Sequence, residues 1–252
     1  MAQALVGYYQ SVDQEGAAAD IDAMADNMLF TSGDIIRVPS GLAYLSGGFL
    51  VTNADVITSA QVQTPSLRTL ANFDISPLGT SATMNNPPAV AYFPANPLPL
   101  TGEESMTFNT NTNHGSAVAI NGFVFLQDGP MPPATGEIFT VRCTAAIQST
   151  ATTWTSGNIT FSQDLPFGTY DIVGIRCIST NGLAARLIFT GGPGWRPGCP
   201  FSSEEPSVDD PMFRYGAGGV LGSFNSNSPP TLEVTGGTDA AQVLYLDLIK
   251  TG

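Results

Sequence analysis

Residues 105–126 read Ser-Met-Thr-Phe-Asn-Thr-Asn-Thr-Asn-His-Gly-Ser-Ala-Val-Ala-Ile-Asn-Gly-Phe-Val-Phe-Leu, and residues 231–249 read Thr-Leu-Glu-Val-Thr-Gly-Gly-Thr-Asp-Ala-Ala-Gln-Val-Leu-Tyr-Leu-Asp-Leu-Ile. Each is a short alternating strand, a polar turn and a longer strand with one strongly apolar face. That face carries Val118, Ile120, Val124 and Leu126 in the first stretch and Leu244, Leu246 and Leu248 in the second. Both predict a β-hairpin. A side-chain period of two sends these residues into cores and puts Asn121 and Asp247 on the other face, outward or against a neighbouring subunit. Two such hairpins, half a chain apart in 252 residues, predict two all-β halves that each end the same way.

Working outward, the second half reads as strands over 137–148, 154–162, 168–179 and 183–190, with turn signals at Pro166-Phe167-Gly168 and Asn181-Gly182. After a loop-rich stretch over 191–211, strands at 212–215 and 220–224 and the final hairpin bring the count to about eight, that of a jelly roll. In the first half, strands are predicted over 34–39, 42–52, 56–63, 67–75 and 89–93. The prolines of 76–104 confine strands there to edges. Residues 17–29 show helical spacing, with Ile21, Met24 and Met28 on one stripe and aspartates opposite, and predict a short N-terminal helix covering a sheet. Gly and three Pro within 127–136 mark a linker. The units are therefore 1–130, a helix plus the first sandwich, and 131–252, the second.

The chain holds 8 Lys plus Arg against 21 Asp plus Glu, a net charge of -13, and only 12% of its residues are charged. Charged groups are depleted in the cores of protein interfaces, so a surface this poor in charge fits a protein that covers itself with copies of itself. It lacks the basic footprint that duplex or single-stranded nucleic acid requires. Cys143, Cys177 and Cys199 form an odd set without metal-type spacing, and no basic, apolar leader opens the sequence. Together they predict unbridged thiols and synthesis in a reducing compartment. The one histidine, His114, sits in a turn. No Gly-x-Ser-x-Gly elbow or phosphate loop occurs, and Gly216 to Gly222 misses the dinucleotide spacing. The acid pairs Glu103-Glu104, Glu204-Glu205 and Asp209-Asp210 read as loop charges, because adjacent strand residues face opposite ways and cannot share one substrate. No catalytic, cofactor or metal residues are assigned. Arg142, Arg176 and Arg186 alternate with core residues, so they are expected on outer sheet faces as candidate subunit-interface residues suited to bidentate pairing.

The whole pattern resembles the double jelly-roll major capsid proteins of tailless icosahedral bacteriophages. The stretches 165–189, Trp195-Arg-Pro-Gly198, Phe213-Arg-Tyr-Gly216 and Pro229-Pro-Thr-Leu-Glu-Val234 are similar to structural proteins of small environmental phages. The resemblance implies two tandem jelly-roll β-sandwiches, with a single jelly roll plus N-terminal extension as the alternative. It implies a non-enzymatic protein, made in the host cytoplasm, whose copies form pseudo-hexagonal trimers and then the capsid lattice of a virion, the N-terminal segment facing the interior. The partners it implies are copies of the chain and other capsid proteins such as a vertex protein, with only indirect contact to any internal membrane, no direct nucleic-acid binding and no cofactor. The rival reading is a carbohydrate-binding β-sandwich, a lectin-like or phage receptor-binding protein. A glycoside-acting enzyme is a third.

Overall fold

The computed structural model describes residues 2–10, 18–26, 29–52, 57–68, 73–74, 90–112, 120–179, 182–190, 195–202, 211–236 and 241–252, whose regular structure is almost all β-strand. The first half contributes β1 (Gln3–Tyr9), β2 (Ala18–Ala23), β3 (Thr31–Ser32), β4 (Ile35–Arg37), β5 (Tyr44–Thr52), β6 (Ile57–Gln63), β7 (Phe73–Asp74), β8 (Ala91–Tyr92), β9 (Leu98–Pro99), β10 (Ser105–Thr112) and β11 (Ile120–Gln127). The second contributes β12 (Ile138–Ala145), β13 (Thr155–Asn158), β14 (Thr160–Phe161), β15 (Thr169–Ile178), β16 (Ala184–Ile188), β17 (Gly198–Ser202), β18 (Gly222–Asn225), β19 (Thr231–Thr235) and β20 (Gln242–Lys250). Among the described residues, no strand of one half pairs with a strand of the other.

The two halves repeat one strand order. In the first, β1–β11–β5–β8 forms one antiparallel layer and β2–β10–β6–β7 the other. In the second, the layers are β12–β20–β15–β18 and β13–β19–β16–β17. Taking these eight strands of each half in chain order, both halves read first–eighth–third–sixth and second–seventh–fourth–fifth. That is the double Greek key of a jelly roll, so the fold is two tandem jelly-roll sandwiches. β3, β4, β9 and β14 are additions along the edges. Even an irregularity repeats: where the third strand pairs with the eighth, each half bulges, at Ser46 in β5 and at Val173 in β15.

The two expected closing hairpins are not hairpins: β10 pairs with β2, β4 and β6 while β11 pairs with β1 and β5, and β19 pairs with β13 and β16 while β20 pairs with β12 and β15, so each polar stretch carries the chain from one layer of its sandwich to the other. The longer strand of each still orients as its alternation requires. Ile120, Val124 and Leu126 enter the first sandwich core with Val6, Tyr8, Phe108 and Val62, and Leu244, Leu246 and Leu248 enter the second with Val141, Cys143, Ile175 and Leu232. Val118 lies outside the described residues. What the pattern does not reveal is that the opposite faces are buried too. Every residue of β11 is buried, and Leu5, Phe49, Phe123 and Phe125, which point away from the first core, join the apolar cluster of the second half. Asn121 lies on that outer face, as its parity requires, and donates to the Ala151 carbonyl of the second half at 2.6 Å; Asp247 also lies on an outer face but is fully buried, so neither is exposed.

Residues 18–23 are a strand, not the expected N-terminal helix. β2 pairs with β1 at one end and with β10 at the other, joining the two layers of the first sandwich. Ile21 points into the core and Asp20 is exposed, an alternation as consistent with period two as the longer spacing was with a helix, and two ladders decide between them. Nor is the N-terminal segment a free arm: β1 lies in the middle of its sheet, between β11 and β2. The strand expected over 212–215 is a single 3-10 turn, Pro211–Phe213. The one over 67–75 becomes a short helix, α1 (Pro65–Arg68), followed by β7.

Candidate functional site

The three arginines singled out by alternation separate into two environments. Arg186 on β16 does point away from the Leu187 side of the strand, but that outer face is covered by the first half of the same chain. Its side chain is 1% exposed, so it is not a subunit-interface residue. Arg186 Nε donates to Glu233 Oε2 at 2.6 Å, and Nη1 donates to Asp26 Oδ2 at 2.6 Å and to the Leu5 carbonyl at 2.9 Å. Its guanidinium lies 4.0 Å from the centre of the Trp154 ring. Arg196 completes the cluster, 2.9 Å from Glu233 Oε2 and 3.4 Å from Asp26 Oδ1. Two cations and two carboxylates thus balance one another at the seam between the halves, where an unpaired charge would be costly. A cavity of about 60 Å³ adjoins the cluster, walled by Ala4, Leu29, Pro39, Leu42 and Trp195.

Arg142 and Arg176 are brought together instead. Arg142 on β12 is opposite Tyr245 on β20, which is opposite Arg176 on β15, so the three form one cross-strand row on the outer face of this layer. Arg142 is exposed, and the Arg176 guanidinium sits 4.4 Å from the centre of the Tyr245 ring. One pair further along, buried Asp247 receives Thr140 Oγ1 at 2.6 Å, Arg214 Nε at 2.8 Å, Arg214 Nη2 at 3.2 Å and the Tyr215 amide at 2.9 Å. Those bonds hold Tyr215 at φ 52 with its ring 62% exposed and covered on one side by Arg214. Sequence reading missed this constellation, because Arg214 and Tyr215 lie in a stretch it took for a strand. The Phe213-Arg-Tyr-Gly216 turn was the available signal.

The remaining chemistry is sparse. Among the described residues no group of three or more His, Cys, Asp or Glu could hold a metal ion. His114, Glu204-Glu205 and Asp209-Asp210 lie outside the described residues. Glu103 accepts from Ser40 Oγ, and Glu104 accepts from the Ser66 amide and hydroxyl and from the Thr101 amide, so this acid pair ties loops together. The three cysteines are buried and free. Burial pushes the Cys143 thiol up to about 12 and Cys177 well above its ordinary value, the latter helped by its hydrogen bond with Cys199, so both stay protonated and are poor nucleophiles. A groove of about 430 Å³ is walled by Tyr92, Phe93, Pro94, Pro133, Met212 and Ala217, with Asn96 at its rim. Apart from the tyrosine, Asn96 is its single polar side chain, a thin set of partners for a sugar ring.

No protein-family model matches the chain, and no curated protein matches it. Among solved structures it is similar to the major capsid protein P2 from bacteriophage PM2, with 98% of this chain and 97% of that chain covered, at 11% identity and a TM-score of 0.27. A likeness of that order carries no argument about fold or function.

Proposed function

We propose that the chain is a structural protein, the major capsid protein of an icosahedral virus, with 1–130 and 131–252 as its two jelly-roll units. The observation that carries this reading is the strand order repeated in both halves, two eight-stranded jelly rolls joined in one chain. A jelly roll in tandem doubles the number of sandwich walls available for side-by-side tiling. The surface agrees: few charges, and Phe30, Phe167 and Tyr215 standing 65%, 74% and 62% exposed. In this reading the protein works by assembly, as trimers of pseudo-hexagonal outline that tile a shell. It is found in the virion, with copies of itself and other shell proteins as partners.

The test is the assembly state of the purified chain. Light scattering and negative-stain microscopy are expected to show trimers or closed particles. A monomer that is retained on a sugar column would instead establish the carbohydrate-binding reading.

A further inference from the structure

We draw no further inference here: the strongest candidate, the apolar groove of about 430 Å³ between the halves, its walls pinned where the Phe93 amide meets the Ser46 carbonyl of one bulge and the Gly216 amide meets the Val173 carbonyl of the other, carries nothing because no feature of the structure shows what covers it.

Discussion

At Arg186, three hydrogen-bonded partners and an aromatic ring converge on one buried guanidinium. Arg186→Ala would leave the two buried carboxylates Glu233 and Asp26 to the single remaining cation Arg196, at a cost of about 3 kcal/mol. The expected result is a lower urea midpoint with an unchanged slope, a loss of folding stability before any effect on assembly. Arg186→Lys is expected to recover only part of it, since a single ammonium cannot reproduce a fork aimed at two carboxylates and a carbonyl. The direction of this side chain was legible from its alternation with Leu187. What covers it was not, because Leu5 lies on a strand 181 positions earlier in the chain. The buried thiols give a second outcome. Cys143 in the folded chain ionises at about 12 against an ordinary value of 9.0, so between those values the unfolded state releases a proton that the folded state keeps. Stability is therefore expected to be level below about pH 9 and to fall as pH rises above it, by about 1.4 kcal/mol per unit for that thiol. Denaturation midpoints measured from neutral to alkaline pH check the sign.

Among the elements, the bulged third strands depend most on a single residue type. Gly47 follows the Ser46 bulge at φ 141, and a Cβ there would collide with the Ala91 carbonyl of β8, the strand it must pair with. Gly47→Ala is expected to cost about 1 to 3 kcal/mol from backbone strain before the clash is counted, seen as a drop in Tm. Gly33, at φ 60 with open space around the added carbon, is a control for the clash: Gly33→Ala should carry the strain alone. The elements also show what a sequence can disclose. The strands β11 and β20 were legible because one face of each is apolar, but their pairing was not: a short polar turn reads as a hairpin whether its strands pair or, as β10–β11 and β19–β20 do, cross between the layers of a sandwich. β2 was not legible as a strand: its Ala-Asp-Ile-Asp-Ala composition favours neither state, and pairing to β1 and β10 decides it. The arginine row on the outer face was half legible. Parity put Arg142 and Arg176 outside, but only strand register places Tyr245 between them.

For the whole molecule, the separate ladders and the shared core point in opposite directions, and magnitudes choose between them. No described strand crosses from one half to the other, as in a chain of two independent units. Yet Leu5, Phe49, Phe123 and Phe125 of the first half belong to the same apolar cluster as Leu187, Leu232 and Leu246 of the second, and the seam also holds the four-charge cluster. Exposing side chains of this size costs about 1.5 to 3 kcal/mol each, so parting the halves at those four alone approaches the total stability of an ordinary domain. The halves should therefore unfold together. In urea, the fluorescence of Trp154 and Trp195, which both lie at the seam, is expected to change at the same midpoint as the β-sheet circular dichroism. A fragment of residues 131–252 expressed alone is expected not to fold, since its β16 face would present Arg186 and Glu233 to water without Asp26 and leave Trp154 without Phe123. A fragment with native-like sheet signal and a sharp transition of its own would show that the seam is an interface between domains and not a common core.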